Sequence, residues 1–288
     1  MSLYYKSYNI LKTNLGINDA FSEFNEISIR DFLKNASLSG DFEKFIDLKS
    51  KEHKIKVNSI KSEQDFSIFI QRTYITMVYQ VSEIFMHNFQ QENESFFQLK
   101  WDTQTSKESK LQYLLRNIRK NSKYKADKIK THNIDLFEYY RKIRNLTVHG
   151  INKGKDEQDK NFNKIKHHYS NVFKEYGQLA APNEFYNIKF DDFILYSRIT
   201  KQLALEICES VAPDLKIIAS NYDIKPHKKL LNNRKRFRTA IFSDLFNNYK
   251  LSIDDAEKVV TEIIEKTEIK KVLEKDKQKV KPVIVDEG

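Results

Sequence analysis

An all-α fold of long helices follows from three features of this 288-residue chain. Six glycines and four prolines are too few for the tight turns of an all-β fold or for a Gly-rich phosphate loop. Apolar residues recur at three- and four-residue spacings through long stretches that hold neither. A Ser or Thr with an acid three residues on, the signature of a helix start, stands ahead of several of these stretches. With 40% apolar and 12% aromatic residues, the chain can fill a core.

Each element has its own signal. Ser28 with Asp31, and Gly40 followed by Asp41, predict two short helices over 29–34 and 42–48. Residues 53–60 alternate polar and apolar side chains, as a short strand or a connector would. From 65 to 91, Phe66, Phe69, Ile70, Tyr74, Met77, Val78, Val81, Ile84, Phe85 and Phe89 recur at helical spacing and predict a core helix of about seven turns. Thr105 and Glu108 form a candidate capping box for a helix through Leu111, Leu114, Leu115 and Ile118, and a basic, flexible stretch over 119–130 follows. Asn133 is the candidate cap of the next helix, which runs through Phe137, Tyr140, Ile143 and Thr147 to a stop at Gly150. The polar segment 151–188, interrupted by Gly154 and Pro182, reads as a loop around a helical piece near 158–176. A long helix over 191–211 ends at Ala212-Pro213.

Past Pro226 the composition changes. Lys228, Lys229, Arg234, Lys235, Arg236 and Arg238 place six positive charges in eleven residues with no acid, ahead of an amphipathic helix to about Tyr249. Ser252 with Asp255 caps a last helix through Val259, Val260, Ile263 and Ile264, which gives way to a charged tail from Glu274. The expected organisation is an N-terminal helical extension over 1–60, a helical bundle over 61–213 and a small basic helical appendage with its tail over 214–288.

Composition narrows the function. A formal charge of +10 fits a polyanionic partner, although excess Lys also serves solubility alone. The single Cys208 lies in an apolar helical run, which excludes a disulfide framework and a Cys-based zinc site and fits a reducing compartment. No stretch approaches the roughly 20 apolar residues of a membrane span, and the start Met1-Ser2-Leu3-Tyr4-Tyr5-Lys6 lacks a signal peptide's apolar core. A cytoplasmic protein without a membrane partner is the expectation.

The chemistry concentrates in Arg144-Asn145-Leu146-Thr147-Val148-His149, followed by Gly150. RNA can be cut without a metal because its own 2′-hydroxyl attacks the neighbouring phosphorus. The enzyme then supplies a group that moves protons near neutral pH, which histidine does, and a cation for the charge building on the phosphoryl oxygens, which arginine does. Asparagine can bond a phosphate or hold the imidazole in one tautomer. Five residues advance about 500° on a straight helix, so Arg144 and His149 stand about 140° apart.

This segment resembles the motif of the HEPN superfamily, an arginine and a histidine separated by a short spacer, in the form with Asn after the Arg and Gly after the His. The resemblance implies an up-and-down helical bundle that dimerises through the motif helices to form a composite RNA-cleaving site, as in toxins of toxin–antitoxin pairs, abortive-infection proteins and CRISPR-associated ribonucleases. It gives Arg144, His149 and Asn145 catalytic roles and covers about half the chain, leaving 1–60 and 214–288 outside. An acidic residue on an earlier helix often accompanies the motif, and Glu83 is the best placed by sequence order. The expected partners are RNA, a second copy meeting at the motif helix, and an antitoxin or regulatory protein; no cofactor and no metal is expected.

Other readings stay open. His149 near a helix C-terminus is favourable through the helix dipole alone, and Arg144 can pair with Glu138 or another acid at a helix interface. A non-catalytic helical module that binds RNA or protein is the main alternative, and a DNA-binding regulator built on residues 238–267 is a third. His132, His167 and His168 read as solvated surface histidines rather than metal ligands, and Asp191-Asp192 as dipole partners at a helix start. For the run from Lys228 to Arg238, with Phe237 inside it, tracking of an RNA backbone and a merely solvated helix start are both open. Trp101 is expected in the core.

Overall fold

The computed structural model describes residues 5–58, 60, 62–149 and 155–279, with 155–158 and 268–279 as backbone alone. It is all-α: eleven α-helices and no strand occur among the described residues. They are α1 (Lys6–Ser39), α2 (Phe42–His53), α3 (Glu63–Phe97), α4 (Lys110–Ile118), α5 (Thr131–His149), α6 (Lys155–Ile165), α7 (Tyr169–Tyr176), α8 (Phe190–Ser210), α9 (Leu215–Asn221), α10 (Arg234–Asn247) and α11 (Ile253–Lys279). No described helix is long and apolar enough to cross a membrane. The chain forms two compact units that interleave in sequence: one from residues 10–87 and 126–210, the other from 1–9, 88–125 and 211–288.

The first unit is an up-and-down bundle of α1, α3, α5 and α8, and its side-chain contacts fix the directions. Asn25 Nδ2 donates to the Tyr74 hydroxyl (2.9 Å) and Gln71 Nε2 to Glu26 (2.7 Å), while Asn18 reaches the Met77 carbonyl, so α1 and α3 run antiparallel. Ser197 Oγ donates to Asp19 (2.8 Å), and Arg30 lies over the Phe190 ring, which sets α8 antiparallel to α1. Asn133 meets Glu206, Phe137 meets Tyr196, and Tyr140 meets Asp192, so α5 runs against α8. Between them Ile75, Val78, Leu136, Ile143, Phe193, Ile199 and Leu203 are fully buried, together with the rings of Tyr140 and Tyr196. Burial of this kind contributes roughly 1.5–3 kcal/mol per large apolar side chain and makes the bundle cooperative.

Two buried acids fasten loops to this bundle. Asp192, at the start of α8, accepts from the backbone N–H groups of Lys189 and Asn183 (both 2.8 Å), from Asn183 Nδ2 (2.8 Å) and from the Tyr140 hydroxyl (2.9 Å). Burial raises its carboxyl above the usual range, while these bonds pull the other way. Glu206 takes the Lys130 N–H and the Asn133 amide, and burial raises it likewise. Asp191 and Asp192 both lie in the first turn of α8, as expected, and Asp191 accepts from the Ala180 N–H (2.7 Å) of the loop that carries Asn183.

In the second unit, α11 packs on α9 and α10. Ile218, Phe237, Ile241, Leu245, Val259, Val260 and Ile263 fill the space between them. The Glu92 carboxylate accepts from the N–H groups of Lys6 and Ser7 (3.0 and 2.9 Å), capping the opening turn of α1, and the Tyr5 hydroxyl donates to the Val211 carbonyl. Trp101 is buried as expected, its indole N–H donating to Asn93 (3.3 Å). Asn221 Nδ2 holds the Phe96 carbonyl at the end of α3.

Several helix limits differ from the sequence reading. The helix expected over 29–34 is the end of α1, and the Ser28 hydroxyl bonds back to the Phe24 carbonyl instead of capping. α1 stops at Gly40, whose φ of 73° suits a residue without Cβ. α2 starts as expected, with Asp41 accepting from the Lys44 N–H (3.0 Å). The box that opens α4 is Ser109 with Gln112, one turn after Thr105 and Glu108; those two also bond, but Arg116 claims the Glu108 carboxylate and lowers it to about 2. Asn133 does not cap α5, which starts two residues earlier; it is buried, donating to Glu206 and accepting from Tyr176. Gly150, the expected stop, lies outside the described residues.

Candidate active site

The last two turns of α5 carry the motif. Arg144 points from the flank of the apolar stripe toward α3, where its guanidinium sits 4.9 Å from the centre of the Tyr79 ring. One terminal nitrogen donates to Asn145 Oδ1 (3.1 Å), and the other lies 4.0 Å from a Glu83 carboxylate oxygen. Its Nε is buried and has no hydrogen-bond partner. The Arg144 side chain keeps 20% of its surface exposed. Three predicted residues, Arg144, Asn145 and Glu83, are therefore brought together.

His149 stands apart from that cluster. It is exposed in the last turn of α5, beside a half-exposed Val148. This matches the divergence expected of residues five apart on a regular helix. The acid that Arg144 neighbours at a helix interface is Glu83 of α3, at 4.0 Å, while Glu138 accepts from Arg141 Nε (2.7 Å). Lys142 donates to Asn161 on α6 (2.8 Å), tying the motif helix to the segment after it.

Sequence reasoning missed Tyr79. Burial, and after it the Glu83 carboxylate, push its hydroxyl up to about 12, while Arg141 and Arg144 hold the rise back. Tyr79 and Glu83 are one helical turn apart on α3, so both face Arg144. That spacing was present in the sequence, but helical periodicity had assigned the segment to the core.

The basic run divides. Lys228, Lys229, Arg234, Lys235 and Arg236 are exposed, the last three in the first turn of α10, where no acid accompanies them. Cations there oppose the helix dipole and so are unfavourable for the helix itself. Arg238 is ion-paired with Glu257 of α11, and Phe237 is buried in the core rather than offered for stacking. Among the described residues no group of three or more His, Cys, Asp and Glu is arranged to hold a metal ion. His168 is nonetheless buried against Asp135 (3.0 Å) and His132 mostly buried against Glu175 (3.2 Å), so two of the three histidines expected at the surface are interior. The rings of His167 and His168 lie 3.9 Å apart, in a 3-10 turn over Lys166–His168.

No protein-family model, curated protein or solved structure matches the chain.

Proposed function

We propose that this chain is a metal-independent endoribonuclease of the HEPN type, acting in the cytoplasm as a toxin or antiphage-defence effector. The observation that supports it is the gathering of Arg144, Asn145 and Glu83 at the end of the helix that presents His149. In this reading Arg144 stabilises the phosphoryl oxygens with its terminal guanidinium nitrogens, its Nε being buried. His149 moves the proton, Asn145 steadies the guanidinium, and Glu83 holds it while no phosphate is bound. The ribose 2′-oxygen bonds to phosphorus, the bond to the 5′-oxygen breaks, and a proton passes to the leaving oxygen. The products are a 2′,3′-cyclic phosphate and a 5′-hydroxyl.

Because Arg144 and His149 diverge on one helix, the reading includes a second copy meeting the end of α5, so that each phosphate lies between groups of two chains. The exposed cations of 228–236 hold the RNA backbone, and an antitoxin or regulatory protein restrains the activity. The test is purified protein with total RNA in EDTA, beside His149→Ala and a substrate carrying 2′-deoxyribose at the cut. Cleavage by the wild type alone, on the unmodified substrate alone, is the expected result. Equal cutting by His149→Ala, or of the deoxy substrate, would overturn it.

One observation favours a second reading, a helical module that binds RNA or protein without cutting. His149 is not in contact with Arg144 within a single chain, and Glu83 already neighbours the guanidinium. Tight RNA binding without cyclic-phosphate ends would support that module.

A further inference from the structure

The largest run of uncovered apolar side chains lies on the outer face of α1, away from the motif. Ile17, Phe21, Phe24 and Ile27 recur four, three and three residues apart and keep 50, 68, 71 and 67% of their surface exposed. The core of α1 is the opposite face, where Leu11, Leu15, Ser22, Glu26 and Ile29 are buried. At roughly 200 Å² for a whole large apolar side chain, those exposures leave about 500 Å² of continuous surface. A patch of this size marks an interface more often than a bare face of a monomer.

A second observation concerns Gly16 and Ala20, which line one edge of the same stripe. Gly16 lies mid-helix, where glycine costs about 1 kcal/mol relative to alanine. A Cβ built there meets nothing within 4 Å, so the packing of this chain does not require the glycine. Its absence of a side chain leaves a notch at the edge of the outer face, eight residues, or just over two turns, from Phe24.

We propose that this face binds a second copy of the chain, α1 against α1 in antiparallel fashion about a two-fold axis. Notch and knob are self-complementary: with Ala20 on the axis, Phe24 of each copy falls opposite Gly16 of the partner subunit. Such a contact is isologous and closed. Over the two copies it can bury up to about 1,000 Å², the floor for a biological interface. Lys12, Arg30 and Lys34 balance Asp19, Glu23 and Asp31 around the stripe, so no excess of cations is there to draw an anionic lipid surface or a nucleic acid as the occupant. In the bundle α1 and α5 each pack between α3 and α8, so they occupy opposite corners. The α1 contact is therefore distinct from any contact at the motif and leaves Arg144 and His149 uncovered.

The test is mass in solution for the full chain at micromolar concentration, followed without reference to cleavage. The wild type should show at least twice 34.3 kDa. Phe24→Asp and Gly16→Leu should each halve that mass. Gly16→Leu is the sharper of the two, because general stickiness predicts more association from an added leucine and a filled notch predicts less. Since a Cβ at position 16 meets nothing within 4 Å in its own chain and leucine is the better helix former, this variant should melt no lower than the wild type, which separates lost association from lost folding. Ala20→Cys should cross-link to itself under mild oxidation, the native Cys208 being buried. A wild type that stays at 34.3 kDa, or an assembly that survives both variants and fails on a charge at Asn145, would overturn the proposal.

Discussion

Charge is handled in opposite ways by the bundle of α1, α3, α5 and α8 and by the unit that contains α10. Inside the bundle three charges are held: Asp192 accepts four hydrogen bonds, Glu206 closes the start of α5, and Arg144 rests on Tyr79 beside Glu83. At the start of α10, Arg234, Lys235 and Arg236 are exposed at the helix end whose dipole they oppose, and Arg238 beside them is paired with Glu257. A charge held by several partners contributes to one geometry and is costly to remove. An exposed cation contributes little to stability and retains its full field for a polyanion.

The sharpest way to break this contrast is Asp192→Ala. It leaves two backbone N–H groups, an amide and the Tyr140 hydroxyl without their acceptor, at a cost of about 3 kcal/mol or more, read as a fall in Tm or in denaturant midpoint. The matching change at the exposed end, Lys235→Ala, should move stability by no more than about 0.5 kcal/mol. Comparable losses at the two sites would erase the distinction.

Next in size are the motif residues. Arg144→Ala and His149→Ala should each lower RNA cleavage at saturating substrate by about two orders of magnitude or more, worth about 2.7 kcal/mol, while His149→Ala melts like the wild type because its side chain is exposed. Loss of folding in Arg144→Ala would make that residue a structural clamp between α3 and α5.

The basic run comes third. Changing Arg234, Lys235, Arg236 and Arg238 to Ser should weaken RNA binding evenly across sequences and flatten its salt dependence by up to roughly 0.7 log units per lost single-strand contact. Arg238, already paired with Glu257, should account for the least of this. Affinity unaltered at low and high salt would show that the run does not meet nucleic acid.

The smallest effect is a pH dependence at Asp192. Burial raises its folded-state pKa above the unfolded value, so the folded form holds the proton longer. The stability it contributes is fully present below the ordinary carboxylate range and falls as pH rises through the folded value. The gap in stability between wild type and Asp192→Ala should therefore narrow as pH climbs out of the acid range. A gap that widens would mean that hydrogen bonding outweighs desolvation at this carboxylate.

Much of the helical order was legible because its signal is local. The heart of α3 shows in the spacing of Tyr74, Val78, Val81, Phe85 and Phe89, and Asp41 and Ser252 sit where helices begin, since a cap needs only the next three residues. α1 was hidden because its outer face carries Ile17, Phe21, Phe24 and Ile27 as well as its core face, which blurs a one-sided pattern. The proximity of Glu83 to Arg144 was readable only as a guess from helix order.

By itself the sequence determined the all-α class, the main helices and the segment where Arg, Asn and His cluster, because periodicity, capping and composition act over a few residues at a time. Only the tertiary structure decided that Asn133, His168 and Asp192 are interior, that Phe237 serves a core, and that Arg144 lies on Tyr79 beside Glu83 while His149 faces solvent. The reason is physical: a polar side chain is held inside only where partners from distant segments satisfy its hydrogen bonds, and those partners exist only once the helices have packed.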